Sequence, residues 1–392
     1  MSRNSYFSYL GLFFVYNVFV KKSLIIRKSI IIFLLVAIIV TLAILKNNTD
    51  LAEGYMRTVG RSWQKMANAI RPNIPISLTE HFYAVLVIGV VFLVVFFIIH
   101  LKGKKWNQAF SNITTVAVIL LGFFASYSAS CELAYNRHEM PLPYYETEVD
   151  RTEYVKIYNY FANDVNACIE QLSFTKDGEV KGKMDLDKLS ESVIKSYDIV
   201  TDPYFHSTFG AVKPMASSPI FREFQITGVD FSPLGKANIN ILSTQCEMPL
   251  VVAHEIAHTK GVMREDDANK LAFYVCLNSE DPYLRYSAYS CYFYQLEYMA
   301  SGTYLTEEER AELVKIDPVF YQSRKYMNDY WEKHDLLAKI GDYINNLYIK
   351  SSGVEEGTSS YSGGTEYHYD PTEHKLVASL YHKLFFARYY AQ

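Results

Sequence analysis

The sequence predicts an α-helical membrane anchor followed by a larger α+β domain outside the membrane. Half of the 392 residues are hydrophobic, and three long apolar stretches fall within the first 131 residues. The later residues have globular composition and helical periodicity, with β-favouring segments confined to a Pro-punctuated region between residues 200 and 245. We therefore expect an anchor over residues 1–131 and a second domain over residues 132–392.

The three apolar stretches cover about residues 23–45, 82–101 and 111–130. A transmembrane helix needs about twenty mainly apolar residues, so each stretch is long enough to span a bilayer. The aromatic stretch at residues 6–20 is shorter. It is expected to form either an interfacial helix or a tilted additional span.

Basic residues near the predicted spans indicate their orientation, because Lys and Arg are retained on the cytoplasmic side. They precede the first span and fill the loop between the second and third, at Lys21, Lys22, Arg27, Lys28, Lys102, Lys104 and Lys105. The segment 46–81 also carries basic residues, but they are spread over a longer loop. The domain after residue 131 is therefore expected outside the cell membrane, with the lipid bilayer as a partner.

Charge and cysteine usage exclude two classes of function. The net charge is -4 and no basic run is present, so a nucleic-acid partner is not expected. The five cysteines form no C-x-x-C pair, which argues against a thiolate zinc ribbon. A Cys276–Cys291 disulfide and free buried thiols both remain open.

The second domain is expected to be mainly helical, with a small sheet just before its helical half. Helical periodicity is found in residues 150–172, 186–199, 249–260, 264–278, 282–300, 306–315 and 317–347. Strands are expected at 224–229 and 237–242. A Gly/Ser-rich loop at 351–365 precedes a C-terminal helix at about 371–391.

The motif with the clearest chemistry is H-E-x-x-H, formed by His254, Glu255 and His258. Pro249 suits the first turn of a helix and Gly261 suits its end, and the spacing between the histidines places both imidazoles on one helical face. Two such imidazoles can bind one Zn²⁺ ion. Glu255 is then placed to act as the general base that takes a proton from zinc-activated water.

A third protein ligand should follow the motif, because catalytic zinc sites use three and leave one position open. Glu265, at the start of the next predicted helix, is the preferred ligand, and Asp266 and Asp267 are the alternatives. The third ligand of metzincins would fall on Arg264, which cannot bind a metal ion. The plain metzincin arrangement is therefore excluded.

Asn269 lies one helical turn after Glu265, as in the E-x-x-A-D pattern of gluzincins, with Asn in place of Asp. Its amide oxygen can accept a hydrogen bond from a ligand imidazole, which would fix the tautomer of that ring. The alternative is that Asn269 only caps or packs its helix.

The chain resembles a bacterial multi-span membrane family described as domain of unknown function 3810, related to the gluzincin peptidases. The resemblance rests on residues 71–77 (RPNIPIS), 135–137 (YNR), 214–218 (PMASS), 248–258 (MPLVVAHEIAH), 265–269 (EDDAN), 285–289 (RYSAY), 345–348 (NNLY) and 357–361 (GTSSY). It implies a zincin-like fold of the gluzincin type, a metal site and a bacterial cell membrane. It implies no substrate.

The function expected from these features is hydrolysis of a peptide or protein substrate near the outer membrane surface by zinc-activated water. The alternative is a non-catalytic membrane sensor or scaffold that keeps the zincin shape to bind a ligand. A second electrophile for the oxyanion is expected besides zinc, with Tyr286, Tyr289 and His334 as candidates. Arg137 is expected either to reach lipid head groups or to help dock the second domain.

Overall fold

A computed structural model describes residues 3–69, 77–181, 185–206, 212–302, 304–370 and 375–392. The described chain is mostly helical. Residues 71–76, which carry most of the first segment of the resemblance, lie outside the described residues. The anchor contains helices α1 (Arg3–Lys46), α2 (Thr49–Tyr55), α3 (Arg61–Ala69), α4 (Leu78–Lys102) and α5 (Trp106–Ser130).

Three of these helices are long and apolar enough to cross a membrane. The apolar windows cover Ile25–Lys46 in α1, Leu78–Lys102 in α4 and Trp106–Asn136, which includes α5. They coincide with the three predicted spans, and α5 packs against both α1 and α4. Residues 6–20 are helical and continue into the first apolar window without a break in α1.

The second part of the chain contains the remaining helices. They are α6 (Arg151–Gln171), α7 (Leu186–Ser196), α8 (Ser218–Glu223), α9 (Met248–Thr259), α10 (Glu265–Leu277), α11 (Pro282–Tyr292), α12 (Tyr294–Ser301), α13 (Glu307–Ala311), α14 (Pro318–Lys333), α15 (Ala338–Ser351) and α16 (Leu380–Tyr390). Two long predicted helices are each divided in two. The first breaks at Phe293 and the second at residues 334–337.

Strand content is small. Strands β1 (Lys213–Pro214), β2 (Gly228–Phe231) and β3 (Lys236–Ile239) form a sheet with the order β1-β3-β2. The β1 strand is parallel to β3 and β2 is antiparallel to it. A separate hairpin pairs β4 (His368–Asp370) with β5 (Lys375–Val377), where the sequence predicted a loop end and part of a helix.

The main hydrophobic core gathers side chains from α6, α7, α9, α10, α11, α14 and α16 around aromatic residues. Phe161, Phe273 and Phe385 lie at its centre and contact one another through their ring edges. Burying an aromatic side chain of this size stabilises a fold by about 1.5–3 kcal/mol. The core holds α9 and α10 side by side, which fixes the relative positions of the residues that they carry.

The start of α4 is tied directly to the sheet. Ser77 donates a hydrogen bond to the Asn238 side chain (2.7 Å), and Asn238 donates in turn to Thr79 (3.2 Å). The Glu80 carboxylate accepts from the backbone N–H of Ala216 (2.8 Å) and Ser217 (2.9 Å), just before α8. The apolar helix α4, a candidate membrane span, therefore contacts the second part of the chain directly.

Arg137 makes a second connection between the two parts. It is buried, pairs with Glu53 through Nε (2.8 Å) and Nη2 (2.9 Å), and donates to the backbone carbonyl of Gly261 (2.9 Å). The side chain therefore docks the segment between the first two spans onto the end of α9. It does not extend toward solvent or head groups.

All five cysteines are free thiols.

Candidate metal centre

The H-E-x-x-H segment lies on α9, between the sheet and α10. Pro249 occupies the first turn and Gly261 lies just beyond the helix end with a φ of +85°. An added Cβ at Gly261 would lie 2.8 Å from Gln64 and 3.1 Å from Arg137. Glycine is therefore required both by the left-handed backbone and by the close packing of the turn that leads into α10.

His254, His258 and Glu265 meet where α9 and α10 lie side by side. One ligand atom from each lies within 4.8 Å of the others. The Nε2 atom of His254 is 3.2 Å from Oε2 of Glu265, and the Nε2 atom of His258 is 3.4 Å from the same oxygen. The structure thus brings together the three residues that the sequence selected as ligands.

One histidine ring has its orientation fixed by the backbone. The Nδ1 atom of His258 lies 2.7 Å from the carbonyl oxygen of Val262, to which it can only donate. The Nε2 atom of His258 is then the unprotonated nitrogen of the neutral ring, and it faces Glu265. A ligand histidine held by its second nitrogen in this way is typical of protein metal sites.

Asp266 and Asp267, the alternative ligands, are held elsewhere. Each has an oxygen 3.0 Å from the buried Lys270 ammonium, and each also lies within 4 Å of the Arg264 guanidinium. They neutralise these two cations. Glu265 is left as the acid of this cluster that faces the histidines.

Two of the three distances between the candidate ligand atoms can be compared with those of a zinc site. Zinc bonds to imidazole nitrogen and carboxylate oxygen are about 2.1 Å long, so tetrahedral ligand atoms should lie about 3.4 Å apart. The two distances from Glu265 to the histidines, 3.2 and 3.4 Å, match this spacing. The Oε2 atom of Glu265 is buried and faces the Nε2 atoms of both histidines, so the three candidate ligand atoms converge.

Glu255 lies beside this cluster and is buried against β2. Its Oε2 atom has no hydrogen-bond partner among the described residues. A Cβ built on Gly228 of β2 would lie only 2.5 Å from Oε1 of Glu255. The strand can therefore approach the carboxylate this closely only because residue 228 is glycine.

The protonation of the four residues follows from burial and from their mutual charges. Burial raises the pKa of Glu255 to about 8, against the opposing charge of His258. Burial would also raise the pKa of Glu265, but His258 and His254 lower it to about 2. Burial would lower the pKa of His258, but Glu265 and Glu255 raise it to about 10. A cation that binds here must displace the His258 proton.

Asn269 lies close enough to His254 for its side chain to affect the pKa of that ring. Burial and the charge of His258 lower the pKa of His254, while Glu265 and the Asn269 side chain raise it. However, the Nδ1 atom of His254 has no partner at hydrogen-bond distance among the described residues. The Asn269 amide instead donates to the backbone carbonyl of Tyr361 (3.0 Å). The hydrogen bond shown for Asn269 therefore ties α10 to the segment at Tyr361.

The cluster opens into a cavity of about 880 Å³. It is lined by residues of β2 and the preceding turn, by α15 and by the anchor, in addition to His254, Glu255, His258 and Glu265. Two of the other lining residues, Asp230 and Tyr361, were not singled out in the sequence. The Asp230 carboxylate contributes to the raised pKa of Glu255, and Glu265 contributes to the raised pKa of the Tyr361 hydroxyl.

The three electrophile candidates taken from the sequence do not line this cavity. Tyr286 donates to Ser323 (2.7 Å) and Tyr289 donates to Asp164 (2.5 Å), both within the core. His334 pairs with Glu223 (2.9 Å). None of the three candidates is therefore placed to act as the second electrophile. Tyr361 had one available signal, since it ends the segment 357–361 used for the resemblance.

The comparisons with known proteins agree with the resemblance in one respect. Residues 55–368 match the family described as "Protein of unknown function (DUF3810)". Neither the curated proteins nor the solved structures contain a match to this chain. The matched range begins before the second apolar helix and includes the metal cluster, the sheet and α15. The chain therefore belongs to the DUF3810 family.

Proposed function

We propose that this protein is a membrane-anchored zinc-dependent hydrolase that cleaves peptide bonds. The observation that carries the proposal is the cluster of His254, His258 and Glu265 with the buried Glu255 carboxyl beside it, facing one cavity. A cluster of ligands alone is compatible with a structural metal. A buried carboxyl with an unpartnered oxygen next to the cluster is what a water-activating site requires.

The ligand arrangement is of the gluzincin type. Two histidines come from one helix and the glutamate from the first turn of the next, with Asn269 one turn later. The small sheet lies against the H-E-x-x-H helix, with β2 closest to Glu255. These features support a zincin-like domain, although its strands are fewer and shorter than an α+β fold would suggest.

The chemistry divides among the residues as follows. A zinc ion held by the three ligands would activate a water molecule and would polarise a substrate carbonyl group. Glu255 would take up the proton of the attacking water and transfer it to the leaving amine. Burial raises the pKa of Glu255, and a cation bound beside it would favour the ionised carboxylate that the role of general base requires. Tyr361 lines the same cavity and can donate to the developing oxyanion.

The free edge of strand β2 supports the proposal that the substrate is a peptide. Within the described residues β2 pairs only with β3, so its other edge is unpaired. Residues 227–230 line the cavity along this edge. An extended peptide can add to such an edge through backbone hydrogen bonds, which would place a scissile bond beside Glu255.

We propose that the anchor crosses the membrane three times and that the metal centre lies outside the cell. The ends of α1 and α5 and the start of α4 are the ends that contact the second part of the chain. The basic residues at 102–105 lie at the opposite ends of α4 and α5. The preference of Lys and Arg for the cytoplasmic side then places the metal centre outside.

The experiment is metal analysis combined with a peptide-library screen on the full-length protein in nanodiscs. We expect about one zinc per chain, loss of zinc in His254→Ala and His258→Ala, and retained zinc without cleavage in Glu255→Gln. Glu247→Gln is a matched control, because Glu247 is also buried but its oxygens are bound by Thr244 and Trp331 away from the cavity. Stoichiometric zinc without cleavage of any library would instead favour a non-catalytic sensor.

A further inference from the structure

The outer face of α15 carries a continuous apolar stripe. Leu336, in the turn before α15, is 79% exposed, and on α15 itself Ile340, Tyr343, Ile344 and Leu347 are exposed by 52, 63, 57 and 51%. Their spacing of three and four residues places them on one side of the helix. Soluble proteins rarely expose such a contiguous set of large apolar side chains, so a partner surface is indicated.

The opposite face of α15 is already used for packing. Gly341 lies against Phe224, where an added Cβ would be 2.8 Å from the Phe224 carbonyl oxygen. Ile349 is fully buried. The helix is therefore held in a fixed rotation, and the stripe cannot turn inward without breaking these contacts.

The end of α15 meets the end of the membrane-spanning helix α5. The Tyr127 hydroxyl is 2.9 Å from the Ser352 hydroxyl, and the Tyr348 hydroxyl is 3.5 Å from the Cys131 sulfur. The Tyr127 and Tyr348 rings lie 6.2 Å apart. Tyrosines are enriched at membrane–water boundaries, where their rings are apolar and their hydroxyls are hydrated. The stripe thus begins at the level where α5 leaves the membrane.

We propose that α15 is a membrane-contacting helix whose apolar stripe inserts into the interfacial layer of the bilayer beside α4 and α5. The stripe is continuous with the end of α5, and this continuity identifies lipid as the partner that covers the stripe. Lys339 and Lys350 are exposed and belong to the same helix. Such lysines can extend their ammonium groups to lipid phosphates while their methylene stems stay near the apolar layer.

The position of α15 also bears on the substrate, if the proposed hydrolase function holds. Ile344, a member of the stripe, and the neighbouring Tyr348 are both exposed and also line the cavity of the metal centre. Tyr83 of α4 lines the same cavity. It lies about 7.5 Å along the helix from the first residue of that span. The cavity therefore has a wall at the bilayer surface. The substrate is accordingly a polypeptide segment held at the membrane surface, in preference to a freely diffusing peptide.

The contact with lipid is tested without any activity measurement. Single cysteines at Ile340, Tyr343 and Leu347 are labelled with a fluorophore in proteoliposomes, and Asp335 and Asp342 serve as exposed polar controls on the same segment. The parent protein gives the background from the native thiols, four of which are buried. We expect nitroxide lipids to quench the stripe positions several-fold more than the controls, and a water-soluble nickel chelate to show the reverse order. Equal access to water at all five positions would overturn the proposal. Protection from both quenchers would also overturn it, because it would indicate a second protein copy on the stripe.

The substrate class is tested with one peptide sequence in two forms, free in solution and attached to a lipid anchor in the same vesicles. We expect the anchored form to be cleaved at least about tenfold faster at matched bulk concentration. Ile340→Asn, which changes the stripe but not the cavity lining, should reduce that preference and leave cleavage of the free peptide unchanged. Equal rates for the two forms would remove the substrate inference. Absence of cleavage of both would count against the hydrolase function, while the quenching result would stand on its own.

Discussion

Gly228→Ala should disable Glu255 while leaving the zinc ligands in place. The new Cβ would lie 2.5 Å from Oε1 and 2.6 Å from Cδ of Glu255. Ordinary contacts between such atoms are about 3.5 Å, so either the carboxylate or strand β2 must move by about 1 Å. Gly228 does not have a positive φ, so the backbone itself accepts alanine. The perturbation is therefore confined to the contact with the general base.

A misplacement of about 1 Å in a catalytic group can cost about a hundredfold in rate, which corresponds to about 2.7 kcal/mol of activation free energy. We expect a loss of that order in kcat for Gly228→Ala. Overpacking costs about 1–3 kcal/mol of stability, so the variant should fold with a lowered Tm. Zinc content should match that of the parent, because the ligands lie on α9 and α10.

The assay compares zinc stoichiometry, Tm and cleavage rate in nanodiscs for the parent and for Gly228→Ala. Gly54→Ala is the matched control, since a Cβ at Gly54 meets nothing within 4 Å. Its rate should equal that of the parent. A Gly228→Ala rate within twofold of the parent, or loss of zinc in proportion to loss of rate, would refute the reasoning that this glycine positions Glu255.

Three further outcomes are expected. Asn269→Ala should weaken zinc binding about ten- to a hundredfold, measured by chelator competition. Asn269→Asp should keep an acceptor for the ligand histidine but lose the hydrogen bond to the Tyr361 carbonyl. Limited proteolysis should therefore cut near residue 361 faster in Asn269→Asp than in the parent. Burial raises the pKa of Glu247 from 4.5 to about 7, so the folded protein holds a proton there that the unfolded chain releases, and stability falls as pH rises through this window. Glu247→Gln should flatten that fall in thermal melts, and an unchanged pH slope would contradict it. A cysteine within residues 352–364 should react with a membrane-impermeant reagent on intact cells while one at Gly103 should not, and the reverse pattern would place the metal centre in the cytoplasm.

The sequence alone located the features that depend on short stretches of chain. Apolar runs gave the three candidate spans, because a span requires about twenty consecutive apolar residues and little else. The spacing of His254 and His258 placed both rings on one face of α9, since one helical turn brings residues four apart together. Glu265 was also within reach of this reasoning, because only a short turn at Gly261 separates the two helices.

Tertiary structure decided everything that joins distant parts of the chain. Gly228 of β2 contacts Glu255, Tyr361 accepts a hydrogen bond from Asn269, which is 92 residues away, and α15 turns an apolar stripe outward. The electrophile candidates failed for the same reason. Helical periodicity tells which side chains share a face, but not whether that face meets the core, the cavity or the bilayer. That choice is made by packing between segments that are remote in sequence, and no local pattern records it.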